Sequence, residues 1–167
     1  MATMRRSFTD RMIAAAKLDI DLYEEVEADT DATLQAAGVV ALAAIASGIG
    51  GIDGGASGIL GGILGAVVGW LLWAGITYLI GDKLLGGTAS WGELLRTLGF
   101  AQAPSVLLVL AIVPVLGLIV ATVVGIWVLV ASVIAIRQAL DFSTGRAIVT
   151  ALLGFIPFAI LRAVLGV

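Results

Sequence analysis

The sequence predicts an all-α fold: a polytopic membrane helix bundle of about five transmembrane helices, led by an N-terminal amphipathic cytosolic helix. Three observations carry this. Hydrophobic residues make up 60% of the 167-residue chain and charged residues only 13%, where a soluble domain carries about 25% charged. Long stretches hold no charge at all, from Val106 to Ile136 for example. Glycine and alanine recur every fourth residue inside such stretches, a spacing that lets a second backbone approach closely in lipid.

Residues 1–31 read as a cytosolic segment and 32–167 as the five-span domain. Residues 1–9 read as disordered, and Arg5 and Arg6 are followed by no apolar run that would make a signal peptide. A short amphipathic helix opens at Thr9 or Asp10, with Met12, Ile13, Ala16 and the stem of Lys17 on one side. Asp21 and Glu24 have capping-box spacing, with Asp21 as N-cap. Residues 10–31 hold eight acidic side chains. Two readings stand for this segment: an interfacial helix with its acids in water, or a partner-contact surface for a basic protein, formed by Leu22, Tyr23, Glu24, Glu25 and Glu27.

The first span is predicted over Ala32–Gly51, followed by a turn at GGIDGGASG whose one charge is Asp53. The second, Gly58 to Ile80, would be roughly 35 Å long at ~1.5 Å per residue, enough for a bilayer core of ~30 Å. Gly61, Gly65 and Gly69 form one row along it, with Gly58 and Gly62 beside them, so this helix is expected to be the one on which the others pack. Trp70 and Trp73 are expected to pack inside, and Tyr78 to join an aromatic belt. Ser90 and Glu93 make a second capping box, opening an interfacial helix through Leu98, and the third span is predicted over about 95–113. Pro114 and Gly117 divide the apolar run that follows; the alternative is one long kinked helix. The fourth span, 117–138, has its own small row, Gly117, Ala121 and Gly125, expected to pair with the row on the second span. The fifth runs from Ala147 to Leu165, interrupted at Gly154 and Pro157.

Orientation follows from the basic residues. With the N-terminus inside, eight of nine fall on the cytoplasmic side: Arg5, Arg6, Arg11, Lys17, Lys83, Arg96, Arg137 and Arg146. Arg162 alone lies near the outer end, and the C-terminus is outside. The expected location is a bacterial inner membrane.

The chain has no cysteine and no histidine. That removes disulfides, thiol nucleophiles and the commonest general base and metal ligand. Ser57, Ser105, Ser132 and Ser143 have no activating partner in sequence, and the glycine clusters lack the lysine and hydroxyl of a phosphate loop. Asp82, Glu93, Asp141 and Arg146 all fall in loops on the inner face, where caps and solvated loop ends explain them. No enzyme, cofactor or metal is therefore expected. A formal charge of −3 gives no basic field for nucleic acid.

Several stretches resemble a known family. They are WGELLRTLGFAQAP (Trp91–Pro104), with Leu98-Gly99-Phe100 ahead of Pro104; GIWVLVASVIAIRQALDFSTGRAI (Gly125–Ile148), with Trp127, Ser143 and Arg146; and the leading LYEEVEADTDA. Over roughly residues 30–165 the chain resembles the Yip-one domain family, the Ypt/Rab-GTPase-interacting membrane proteins, in its prokaryotic form. The resemblance implies a five-span protein; eukaryotic members bind Rab GTPases and Yip partners and shape membranes. Their Asp-Leu-aromatic-Gly-Pro pattern is half echoed by Asp21-Leu22-Tyr23, with Glu24-Glu25 in place of Gly-Pro. The expected function is that of a non-enzymatic scaffold, adaptor or membrane organiser. The alternatives are a small permease or channel lined by the breaks at Pro114 and Pro157, and an accessory subunit of a larger complex. Expected partners are the lipid bilayer and a membrane protein or further copies of the chain.

Overall fold

The computed structural model describes residues 6–51, 55–113 and 115–165. Asp53 and Pro114, both singled out in the sequence, lie outside the described residues, as do the surroundings of Gly58 and the side chain of Arg162. Every regular element among the described residues is helical: α1 (Phe8–Ala16), α2 (Ile20–Ala28), α3 (Ala32–Gly51), α4 (Gly55–Tyr78), α5 (Trp91–Phe100), α6 (Gly117–Ala139) and α7 (Thr144–Leu165). A π-helical segment, Leu79–Leu84, continues α4, and a 3-10 helix, Ala103–Ile112, continues α5. Five stretches are long and apolar enough to cross a membrane: Ala32–Gly50, Leu60–Leu84, Trp91–Ile112, Gly117–Ala139 and Thr144–Leu161. The apolar run is thus two elements, the 3-10 helix ending at Ile112 and α6 beginning at Gly117, and α7 continues through Gly154 and Pro157. Proline costs a transmembrane helix one hydrogen bond without ending it when neighbours satisfy the freed carbonyl.

The local starts are chemically legible. Ser90 Oγ accepts from the Glu93 amide at 3.3 Å and Glu93 Oε2 accepts from the Ser90 amide at 2.7 Å, closing the expected capping box of α5. At the N-terminus the caps fall elsewhere. Ser7 caps α1, accepting from the Asp10 amide at 3.2 Å, and Asp19, not Asp21, caps α2. Phe8 and Thr9 are therefore helical.

The third span, not the second, is the centre of the bundle. Its apolar stretch is 56% buried, against 22% for the second span. α5 packs on α2, α3, α4 and α6, and the 3-10 helix lies between α3 and α6. Trp70, buried on α4, donates from Nε1 to the Leu95 carbonyl at 3.0 Å, tying the second span to the third. Trp73 meets the Phe158 ring edge-on at 5.1 Å between centroids. Tyr78 closes α4 with the Lys83 ammonium 5.0 Å above its ring.

Close backbone approach is achieved at glycines other than those in the two sequence rows. A Cβ on Gly50 would overlap the Leu108 carbonyl, and one on Gly99 would lie 2.7 Å from the Ala36 Cβ. Gly81 and Gly87 make room for the Leu140 side chain. In contrast, a Cβ on Gly61, Gly62, Gly69 or Gly125 would have no neighbour within 4 Å. Gly65 is half-exposed, Ala121 exposed, and Gly117 faces the Ala111 carbonyl of the 3-10 helix. Among the described residues the α4 row therefore does not pack on the α6 row within the single chain; α4 packs on α3, α5 and α7.

Candidate functional site: a helical hairpin held by two arginines and a tryptophan

The polar chemistry of the molecule is concentrated where α1 and α2 dock on the spans. Lys17 caps α1, and Leu18 reverses the chain at φ 62, a left-handed conformation that disfavours a branched side chain. α1 and α2 then fold together on α5, α6 and the 3-10 helix. Arg11 and Ala15 of α1 and Leu22, Tyr23 and Val26 of α2 are buried. Ile13 and Lys17 point outward, so the predicted apolar side of α1 is rotated: Phe8 and Met12 pack on the core with Ala15.

A helix leaves its last carbonyls without intrahelical partners. In α1, the Ile13, Ala14 and Ala15 carbonyls accept from the amides of Lys17, Asp19 and Leu18. The fourth, Ala16, accepts from Trp127 Nε1 of α6 at 2.8 Å. In α2, the Glu25 carbonyl accepts from the Asp29 amide, and Arg96 of α5 supplies the next two. Its Nε donates to the Val26 carbonyl at 2.9 Å and to the Glu27 carbonyl at 3.1 Å, and Nη2 also donates to Glu27. A guanidinium at a helix C-terminus also complements the helix dipole. Arg96 is only 6% exposed, and these carbonyls satisfy a charge that the bundle would otherwise disfavour.

Arg11 is 1% exposed and ties α1 to both α2 and α3. Its Nε donates to Glu25 at 3.0 Å, Nη1 to Gln35 of α3 at 2.9 Å, and Nη2 to Glu25 and Asp29, both at 2.8 Å. Arg6 adds an outer pair with Asp19 at 3.1 Å. Two carboxylates and one amide oxygen surrounding a fork of donors make a fixed geometry that lysine would not reproduce.

Of the residues expected to contact a partner, the structure withdraws two. Leu22 and Tyr23 are fully buried because α2 turns this face onto α5 and α6, and burial pushes the Tyr23 phenol above its usual range. Glu24 is exposed and accepts from Gln138 at 2.9 Å; Glu25 and Glu27 are half-buried. The inner-loop residues Asp82, Glu93, Asp141 and Arg146 each have a partner of their own in the loops. Asp82 pairs with Lys83 at 2.7 Å, Glu93 caps α5, Thr88 donates to Asp141 at 2.9 Å, and Arg146 donates to the Leu85 carbonyl while lying over the Phe142 ring. No group of three or more acidic side chains among the described residues is arranged to hold a metal ion. Arg11, Arg96 and Trp127 were not singled out as anchors from sequence. The available signal was Arg96 itself, a lone charge in the apolar run LLRTLGF.

Burial pushes the Glu27 carboxyl up to about 7; the carboxylates of Glu93, Asp141 and Glu24 add to the push and Arg96 opposes it. The folded chain therefore holds this proton more tightly than the unfolded chain. Its contribution to stability is complete below about 4.5 and lost as pH rises to about 7. Glu27→Gln is expected to flatten the stability profile across that window and to raise the melting temperature at pH 8. Thermal unfolding at several pH values checks this, and an unchanged slope in the variant would remove Glu27 as its source.

A protein-family model, Yip1 domain, matches residues 24–165. No curated protein and no solved structure matches the chain.

Proposed function

The chain belongs to the Yip1 domain family and is a multi-pass membrane protein of the Yip type, and from that premise we propose that it works without catalysis, as a scaffold or adaptor that organises other components in its bilayer. The observation that carries the proposal is where its buried charge lies. Arg11 and Arg96 are wholly engaged in holding the hairpin to the spans. A helical platform at one membrane face, rigidly joined to a lipid-exposed bundle, is what an adaptor requires. In this reading the membrane is a bacterial inner membrane, the N-terminus is cytoplasmic and the C-terminus outside; the basic residues Lys83, Arg96, Arg137 and Arg146, at the span ends on the N-terminal side, support it.

A membrane protein or further copies of the chain would be the partner within the bilayer. The open glycines Gly61, Gly62 and Gly125, with exposed Leu60, Leu64, Ile126 and Leu129 around them, leave room for close approach by another helix. At the hairpin, exposed Glu24 marks the accessible part of α2. Detergent-free extraction from native membranes followed by mass spectrometry tests the proposal. A fixed set of co-purifying proteins, or a defined homo-oligomer, is expected, and Gly61→Leu with Gly62→Leu is expected to weaken the assembly while leaving the protein folded. A chain that is always alone, in wild type and variant, would refute it.

A further inference from the structure

The two sides of the bundle disagree about where the membrane ends on the hairpin's face. Gln138, near the end of α6, donates to Glu24 of α2, while Trp127 of the same helix donates to Ala16 at the end of α1. These two anchor points are eleven residues apart, about 16 Å of helix axis at ~1.5 Å per residue. The C-terminal end of α1 is thus seated against the middle of α6, roughly half the ~30 Å thickness of a hydrocarbon core away from the α6–α7 turn.

α1 is polar on its outer side. Lys17 is exposed next to Ala16, Asp10 is exposed, and the Arg6–Asp19 pair lies beside them. Together with Ser7, Ile13 and Ala14 these residues line an open depression. If the lipid boundary ran level with Lys83, Arg137 and Arg146, this charged surface would sit deep in hydrocarbon, where an unpaired charge costs at least ~2.5 kcal/mol. If the boundary ran level with Trp127 all round, the apolar side chains of Leu129, Val130, Ile148, Val149, Leu152 and Leu153 would stand in water; they are 40–66% exposed. No boundary running level around the bundle satisfies both sides.

We infer that the lipid boundary on this face is stepped. It keeps full depth along α7 and the exposed side of α6, and it descends beside α1, where phospholipid headgroups and water occupy the depression lined by Arg6, Asp10, Lys17 and Asp19. The mixed charge fits a headgroup: Lys17 serves its phosphodiester and Asp10 an ammonium group or its hydration water, with the Arg6–Asp19 pair beside them. The protein thereby thins one leaflet on one side of itself. This deepens the membrane-organiser reading but rests only on the chain's crossing a bilayer, with no protein partner involved.

The absence of cysteine makes the test direct. Single nitroxide labels are placed at Lys17→Cys and Asp10→Cys in the depression, and at Leu129→Cys and Leu153→Cys on the apolar side, in the full chain reconstituted in phosphatidylcholine–phosphatidylglycerol liposomes. Power saturation then compares access by oxygen and by a water-soluble nickel chelate. Both depression labels are expected to be several-fold more accessible to the chelate than the Leu129 and Leu153 labels, which are expected to favour oxygen. The inference is overturned if all four favour oxygen, if all four favour the chelate, or if the depression labels give the sharp line shape of an undocked segment. Because the liposomes hold no partner, such a failure is separate from a failure to co-purify one.

Discussion

Gly50→Leu unfolds the protein or prevents its assembly, whereas Gly61→Leu leaves the isolated chain as stable as the wild type. Both glycines lie on predicted spans, and composition does not tell them apart. Gly50 is where α3 meets the 3-10 helix: a Cβ there would overlap the Leu108 carbonyl and lie 3.2 Å from the Ala111 Cβ. The obstacle is backbone, so no rotamer change relieves it, and the two elements must separate. Overpacking costs typically 1–3 kcal/mol, occasionally more, and a leucine against backbone belongs at or above the top of that range. Around Gly61 a Cβ meets nothing within 4 Å, so the change is expected to fall within about 0.5 kcal/mol of neutral. Thermal unfolding followed by fluorescence-detected size exclusion reads both. A Gly50→Leu protein as stable as wild type would mean that α3 and the 3-10 helix do not pack this closely.

Arg11→Leu is expected to cost about 3–5 kcal/mol, the usual penalty for removing one partner of a buried ionic group. The loss comes less from missing attraction than from what stays behind. Glu25 and Asp29 keep their charges and Gln35 loses its donor. Arg6 reaches Glu25 at 3.5 Å and offsets part of the loss. Arg11→Lys keeps the charge but cannot serve three acceptors in fixed directions, so it is expected to recover only part of the stability. Limited proteolysis locates the damage: cleavage within residues 6–31 should accelerate well before the spans unfold. A double-mutant cycle with Glu25→Gln should show coupling above about 1 kcal/mol. Additive effects would mean that the two side chains act independently.

Much of the fold was legible because crossing a bilayer demands length and apolarity, and both are written directly in sequence. Ala32–Gly51 matches α3 to the residue, and the Ser90–Glu93 capping box opens α5 as its spacing requires. Which faces meet was not legible. In water, an amphipathic stripe marks the buried side of a helix. Here α4 and α6 are apolar all round, since lipid and core make the same demand, and glycine spacing was the remaining guide. That guide selected the row of Gly61, Gly65 and Gly69, along which a Cβ at Gly61 or Gly69 would meet no neighbour, over Gly50 and Gly99, where the backbone is closed by Leu108 and Ala36. The hairpin failed for a different reason. Its acids suggested solvent, but Glu25 and Asp29 face inward to Arg11; a carboxylate's partner fourteen or eighteen residues away leaves no local trace.

The 3-10 helix at Ala103–Ile112 gives the third span an unusual tolerance. Side chains three apart eclipse one another in this geometry, so Ser105, Leu108 and Ala111 stand in one, more buried, column, while Leu107 and Leu110 form another on the exposed side. Deleting one triplet within it would shorten the span by about 6 Å at ~2.0 Å per residue and return every later residue to its original column. The same deletion in α4 or α6 would rotate all that follows by about 60° at 3.6 residues per turn. In this one segment, span length and facial register are separable variables, and related chains adapted to thinner or thicker bilayers are expected to differ there by threes.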